Sequence, residues 1–121
     1  DIVVSVLPLT PETTGIMNAG FFAMLADGAF IINGGRGPQV DDDDLLEALD
    51  SGKLGGAALD VFAVEPLPQD HPFWTHPKVR VWPHVAAQTN ATSAAEQVAA
   101  AITAMMDGSE PANRVDWSRG Y

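Results

Sequence analysis

The sequence predicts an α/β fold built on a parallel sheet. Two observations indicate it: runs of apolar, largely β-branched residues recur along the chain, and amphipathic helical stretches separate them. Continuous apolar runs are typical of strands buried on both faces, as in parallel sheets whose crossover helices cover both sides. The runs predicted as strands are residues 2–7, 29–33, 57–62 and 79–82.

Helices are predicted between the first three strands. Residues 11–14 have the composition of a helix start, ahead of an apolar helical face at residues 21–25. Residues 41–44, all Asp, precede the leucines of a second amphipathic helix, where acidic side chains complement the helix dipole, and Ser51 and Gly52 end it. Both helices are about long enough for right-handed crossovers between parallel strands.

The remainder of the chain predicts a loop, a helix and a tail. Residues 63–77 are rich in proline and histidine and lack periodicity, which predicts a surface loop with Phe73 and Trp74 turned inward. Residues 92–106 are rich in alanine, with apolar residues at helical spacing, and predict a helix that Gly108 caps.

Composition excludes several classes of function. The chain carries 16 Asp and Glu against 6 Lys and Arg, and its net charge of −10 repels nucleic acid and anionic membranes, so neither is expected as a partner. It contains no cysteine, shows no metal-ligand motif and has no apolar run of membrane-spanning length. We therefore expect no metal site and a cytoplasmic domain, which at 121 residues without an initiator methionine is part of something larger.

Ionisable side chains follow three of the predicted strands. Arg36, Glu65 and His84 come after the second, third and fourth strands, respectively. Because ligand crevices in open α/β sheets lie outside the carboxyl ends of strands, these side chains are expected to converge. An arginine fork suits a carboxylate, a histidine exchanges a proton near neutrality, and a neighbouring carboxylate holds the histidine tautomer. The pattern predicts acid catalysis on an anionic carbonyl substrate.

Each of these residues also has a purely structural interpretation. Arg36 is consistent with a solvated turn charge, Glu65 with an exposed loop acid, and His84 with a hydrogen-bonded strand end. His71 and His76 are expected to have surface or packing roles. The glycine cluster before residue 38 lacks the G-x-G-x-x-G fingerprint and the P-loop lysine, so any pyrophosphate site would lie outside these residues.

Four segments carry motifs of a known family. They are Leu7-Pro8-Leu9-Thr10-Pro11-Glu12-Thr13, Ile32-Asn33-Gly34-Gly35-Arg36-Gly37, Leu59-Asp60-Val61-Phe62-Ala63-Val64-Glu65-Pro66-Leu67-Pro68 and Pro83-His84-Val85-Ala86. In this order they resemble successive signatures of the D-2-hydroxyacid dehydrogenases. Residues 85–89 and the tail at 115–121 are most similar to members that reduce glyoxylate and hydroxypyruvate.

The resemblance implies an oxidoreductase that transfers hydride from C4 of NADPH or NADH to the keto carbon of a short 2-oxo acid. It implies that Arg36 holds the substrate carboxylate and carbonyl, that His84 protonates the developing alkoxide, and that Glu65 hydrogen-bonds the imidazole and keeps it protonated. Asp60 is expected to face the nicotinamide carboxamide. The backbones expected to line the cofactor are those of Leu7, Pro8, Gly34, Gly35, Ala86 and Ala87.

The resemblance also implies a domain organisation. Residues 1–91 correspond to the second mononucleotide half of a Rossmann-type cofactor domain, and residues 92–121 to a carboxyl-terminal helix and tail. The amino-terminal substrate domain and the Gly-rich half lie outside this chain, so the 121 residues alone are expected to be inactive. The family implies a homodimer.

Two positions depart from the family pattern. Gly35 stands where alanine is more usual, which predicts a looser loop before Arg36. Trp82 stands where a smaller polar residue is common. The alternative to an enzyme is a non-catalytic relative of the same fold that senses a dinucleotide or mediates association.

Overall fold

The computed structural model of the chain describes residues 1–118, which contain one sheet of four parallel strands. These are β1 (Ile2–Ser5), β2 (Ala29–Asn33), β3 (Leu54–Leu59) and β4 (Val79–Val81), and they neighbour one another in chain order. The predicted α/β class with a parallel sheet is therefore confirmed. The last three residues of the tail motif, Arg119, Gly120 and Tyr121, lie outside the described residues.

Three strands differ from their predicted bounds. β1 ends at Ser5, two residues early, and β4 ends at Val81, one residue early. β3 covers Leu54–Leu59 where the prediction was 57–62. Gly55 and Gly56 lay outside the predicted strand, and glycine is generally unfavourable inside strands. In the structure they make room for a neighbouring ring, since a Cβ on Gly56 would lie 2.8 Å from Cε1 of Phe30.

The first helix starts later than predicted. Residues 11–15 form a turn, in which the amide of Thr13 donates to the carbonyl of Thr10 at 3.1 Å and the amide of Thr10 donates to Oγ1 of Thr13 at 2.8 Å. Helix α1 covers Ala19–Met24 and is capped by Asn18, whose side chain accepts from the amide of Phe21. The two threonines thus satisfy the backbone locally, which favours a turn over a helix at that position.

The second and third predicted helices are confirmed. Helix α2 covers Asp42–Asp50, begins after Asp41, whose side chain accepts from the amide of Asp44, and ends at Ser51. Helix α3 covers Ala91–Met106 and is followed by Gly108 in a left-handed conformation at φ +72°. None of the helices described in residues 1–118 is both long enough and apolar enough to span a membrane.

The core lies between one face of the sheet and helices α1 and α2. Its fully buried side chains are Phe22, Ile31, Leu45, Leu49, Leu54, Leu59 and Phe73. Side chains on the other face, such as Val4 and Phe30, are about half exposed, so the prediction of strands buried on both faces is wrong for this chain. Trp74 was also expected inside, but it is 51% exposed and its indole donates to the carbonyl of Pro68.

The chain divides into two compact units after Ala86. The first unit, Asp1–Ala86, contains the sheet, α1 and α2. The second unit begins at Ala87 and contains α3, whose cap Asn90 accepts from the amide of Ser93.

Candidate active site

The carboxyl ends of the four strands lie in register along one edge of the sheet. Ser5 pairs with Asn33, Asn33 with Leu59, and Leu59 with Val81, so the loops that follow begin side by side. The site residues predicted within the first unit lie on these loops. This edge is where ligands bind in open α/β sheets.

His84 and Glu65, on the loops after β4 and β3, form a hydrogen-bonded pair. Nδ1 of His84 lies 2.8 Å from Oε2 of Glu65, and Oε1 of Glu65 accepts the amide of Phe62 at 2.9 Å. An ionised carboxylate only accepts, so Nδ1 carries the proton toward Glu65 and Nε2 is the ring atom left for exchange with a ligand. The pKa of Glu65 lies below its ordinary value, first because of the hydrogen bond with His84 and then because of the Phe62 amide.

The backbone of His84 is held in an unusual conformation by Asp60. His84 has φ +55°, in the left-handed region that side chains disfavour, and its amide donates to the carbonyl of Asp60 at 2.8 Å. The buried Asp60 carboxylate accepts the amides of Val85 at 2.8 Å and Ala86 at 2.9 Å. Asp60 therefore anchors the loop that presents the imidazole.

Arg36 follows β2 on a turn shaped by Asn33. The fully buried Asn33 side chain accepts the amide of Gly35 at 3.0 Å and donates to the carbonyl of Arg36 at 3.1 Å. The Arg36 side chain is exposed at this edge, with Nη1 donating to the carbonyl of Gly35 at 2.7 Å. Within residues 1–118, no described hydrogen bond or ion pair joins its guanidinium to Glu65 or His84.

The loops after β2 and β3 are in direct contact. A Cβ placed on Gly37 would lie 1.8 Å from the carbonyl carbon of Phe62, so only glycine fits there. The turn that carries Arg36 therefore packs against the segment that leads to Glu65.

A cavity of about 470 Å³ opens beside these loops. Three of its lining residues, Gly34, Asp60 and Ala86, are among those predicted to line the cofactor. Trp82 lines this cavity and also a second one of about 450 Å³, whose wall includes Glu65 and His84. The lining of the first cavity combines apolar side chains, including Ile32 and Trp82, with Asp60, which suits a flat carboxamide-bearing ring.

The other predicted cofactor residues lie on neighbouring loops. Leu7 and Pro8 are exposed after β1, and the buried Gly35 packs against them, because a Cβ there would lie 2.9 Å from the carbonyl oxygen of Leu7. The expected looser loop at Gly35 is therefore wrong, since the glycine is needed for a close approach. Ala87 is the first residue of the second unit.

Sequence reasoning missed the loop-shaping roles of two buried amides, Asn33 and Gln39. Both side chains are fully buried, and both hydrogen-bond to loops at the carboxyl edge. A signal was available, because amide residues flank a glycine-rich loop between a buried strand and a helix. The two remaining histidines have packing roles, with His71 against Phe73 and His76 hydrogen-bonded to Asp50 at 3.2 Å.

Comparison with known proteins decides the family. The protein-family model described as D-isomer specific 2-hydroxyacid dehydrogenase, NAD binding domain, matches residues 1–86 of the chain. The chain belongs to this family. The predicted family and its Rossmann-type fold are thus confirmed.

Two curated reductases match nearly the whole chain. It is 52% identical over 120 residues to glyoxylate/hydroxypyruvate reductase A of Serratia proteamaculans and 48% identical to that of Yersinia enterocolitica. Each match covers 99% of this chain and 38% of the relative. The chain therefore spans well under half the length of these relatives.

Solved structures also match nearly the whole chain. A D-isomer specific 2-hydroxyacid dehydrogenase from Xanthobacter autotrophicus in complex with NADPH and MES superposes with a TM-score of 0.95 at 48% identity, covering 99% of this chain and 50% of the other. An NADPH-dependent glyoxylate/hydroxypyruvate reductase from Sinorhizobium meliloti in complex with NADP and sulfate superposes with a TM-score of 0.93 at 44% identity, covering 100% of this chain and 40% of the other.

No group of three potential metal ligands occurs in residues 1–118.

Proposed function

We propose that this chain supplies the proton donor and part of the nicotinamide site of a reductase that converts glyoxylate or hydroxypyruvate to the 2-hydroxy acid. The observation that carries the proposal is the pair of His84 and Glu65, at 2.8 Å, beside a cavity lined by Gly34, Asp60 and Ala86. The names of the relatives support the substrate class. NADPH is favoured over NADH because the matched structures were described with NADPH or NADP.

In this proposal His84 is the general acid. Its Nε2–H donates a proton to the carbonyl oxygen of the 2-oxo acid as negative charge develops there, which completes the hydroxyl group. Glu65 holds Nδ1 and offsets the positive charge of the imidazolium. The carboxylate is ready for this role because the amide of Phe62 and the ring of His84 both favour its ionised form.

Arg36 is proposed to bind the substrate carboxylate. Its guanidinium is exposed at the same sheet edge, and the planar fork of donors matches a carboxylate in a two-point contact. The intraloop bond from Nη1 to Gly35 leaves further N–H groups of the fork for the substrate.

The cofactor is proposed to bind against the loops at this edge of the sheet. Asp60 and the backbones of Gly34 and Ala86 hold the carboxamide end; the neighbouring backbones that complete the lining are those of Leu7, Pro8, Gly35 and Ala87. When bound, the nicotinamide supplies the hydride to the keto carbon.

The chain is proposed to act as part of a longer polypeptide, because it spans 38% of the curated relatives. Residues 1–91 would form the second mononucleotide half and residues 92–121 the carboxyl-terminal helix and tail of a cytoplasmic homodimer. The isolated 121 residues are expected to be inactive, and sedimentation of the full-length enzyme tests the dimer.

Substitution of the acid tests the proposal in the full-length enzyme that carries these residues. His84→Asn should lower kcat for NADPH-dependent glyoxylate reduction by about 100-fold or more, with NADPH affinity retained. Arg36→Ala should raise the KM for glyoxylate and lower kcat/KM. Turnover that stays at the wild-type level in both variants would favour the non-catalytic alternative.

His76→Asn is the matched control. It removes a histidine paired with a carboxylate, Asp50 at 3.2 Å, that lies outside both cavities. We expect a lower melting temperature and unchanged kcat. An equal loss of turnover in His76→Asn would mean that the effect of His84→Asn reflects stability and not acid catalysis.

A further inference from the structure

We propose that Gln39 is a positioning residue of this site, which fixes the Leu7–Pro8 backbone relative to the backbone of Arg36. The inference rests on the proposed function, because that function assigns Leu7 and Pro8 to the cofactor and Arg36 to the substrate. Gln39 touches neither ligand in this scheme and acts through the two loops.

The Gln39 carboxamide joins three segments of the first unit. Its Nε2 donates to the carbonyls of Leu7 and Pro8, each at 3.0 Å. Its Oε1 accepts the amide of Arg36 at 3.1 Å and the hydroxyl of Ser5 at 3.2 Å. A carboxamide has two N–H groups and two acceptor lone pairs, so the hydrogen-bonding capacity of this fully buried side chain is completely used.

The partners dictate which side chain can stand at this position. Backbone carbonyls only accept and the Arg36 amide only donates, so the orientation of the Gln39 amide is fixed. Glutamate keeps the acceptor but loses the donors, and methionine loses both. Either change removes hydrogen-bond partners from partly buried backbone groups, which is costly.

The Gln39 side chain and the backbones of Leu7, Pro8 and Arg36 that it joins, called the clamp below, are closely packed. A Cβ on Gly35 would lie 2.5 Å from Oε1 of Gln39 and 2.9 Å from the carbonyl oxygen of Leu7. The backbone of Gln39 is itself held, because its amide donates to the carbonyl of Arg36 at 3.2 Å and its carbonyl accepts the amide of Met17 at 2.9 Å. The Leu7–Pro8 segment and Arg36 are thus tied to one rigid amide.

This arrangement matters for hydride transfer because the two reactants must meet in a narrow range of geometries. A shift of about 1 Å between positioning groups can lower a rate by about 100-fold. Gln39 governs such a spacing, since its side chain hydrogen-bonds both the Leu7–Pro8 backbone, assigned to the cofactor, and the backbone of Arg36, assigned to the substrate.

The test uses Gln39→Met and Gln39→Glu in the full-length enzyme. Affinity is measured for NADPH and for 2′-phospho-ADP-ribose, which lacks nicotinamide. Gln39→Met should weaken NADPH by about tenfold and leave 2′-phospho-ADP-ribose unchanged, and should lower kcat/KM for glyoxylate by about 100-fold. Equal affinities of wild type and both variants for NADPH, with unchanged kcat/KM, would overturn the proposal.

Amide hydrogen exchange separates the two halves of the clamp. The Arg36 amide should exchange faster in Gln39→Met, whereas Gln39→Glu keeps an acceptor for it and should retain more of the protection. This readout depends on the clamp alone. If wild type reduces no 2-oxo acid, the proposed function fails, while unchanged Arg36 exchange in Gln39→Met would refute the clamp itself.

Leu49→Ala is the stability control. Leu49 lies on α2, is fully buried and is not among the hydrogen-bond partners of Gln39. It should lower the melting temperature while the ratio of NADPH to 2′-phospho-ADP-ribose affinity stays at the wild-type value. A ratio that shifts equally in Leu49→Ala and Gln39→Met would reduce Gln39 to a structural role and overturn the proposal.

Discussion

Asp60→Asn is expected to release the loop that presents His84. The aspartate accepts the amides of Val85 and Ala86 with separate oxygens, at 2.8 and 2.9 Å. Asparagine keeps one acceptor and turns an NH₂ group toward the other amide. One charge-assisted hydrogen bond is therefore replaced by two donors that face each other.

The size of the effect follows from these contacts. A hydrogen bond to a charged group contributes about 1.5–3 kcal/mol. The left-handed backbone of His84 costs about 1–2 kcal/mol, and this cost is relieved when the loop leaves the anchored conformation. A net loss of about 2 kcal/mol reduces the population of the anchored loop roughly 30-fold relative to relaxed conformations. Because a relaxed loop misplaces the proton donor, kcat/KM for glyoxylate should fall by a similar factor where the relaxed form predominates.

The assay combines steady-state kinetics with hydrogen exchange in the full-length enzyme. The Val85 and Ala86 amides should exchange faster in Asp60→Asn, and kcat should stay low at saturating NADPH. Asp70→Asn, at an exposed position, is the charge-matched control and should leave both readouts unchanged. Unaltered exchange at Val85 and Ala86 in Asp60→Asn would show that Asp60 does not anchor the loop, whether or not NADPH binding weakens.

Further predictions concern stability. The folded pKa of Glu65 is lowered, so its ionisation stabilises the fold above its ordinary value of 4.5 and this contribution is lost as the pH falls through the folded pKa. Denaturant titrations should therefore find Glu65→Gln less stable than wild type at neutral pH, with a difference that shrinks in acid; a difference independent of pH would contradict this. Gly37→Ala should cost about 3 kcal/mol or more in unfolding free energy, because the new Cβ overlaps the carbonyl of Phe62. An unchanged denaturation midpoint would show that this contact is readily relieved.

The sequence was sufficient to predict the strands and the edge where the ionisable residues lie. Apolar runs ending in loops that carry Arg36, Glu65 and His84 predict that edge because parallel strands end on the same side. The family motifs then predicted the pairing of Glu65 with His84, which the structure places at 2.8 Å.

Two kinds of feature could not be derived from local pattern. Gly55 and Gly56 belong to β3 because a ring of the neighbouring strand needs their space, and propensity alone contains no information about that ring. The amide residues that flank the glycine-rich loop are a signal in the sequence, but three of the four partners of Gln39 are backbone groups, which are the same in every residue, so the pattern does not show which segments its side chain joins. The exposed face of β1 and β2 was misjudged because apolar composition does not reveal which residues of a chain cover it.

The contact between Gly37 and Phe62 has a consequence for ligand binding. Loops that pack backbone against backbone retain little conformational freedom. They therefore lose conformational entropy when the chain folds, and lose little more when a ligand binds. The turn carrying Arg36 and the segment before Glu65 should then move as one body. If the site closes around a ligand, the movement would have to come from other parts of the protein that approach this edge, because the edge itself stays rigid.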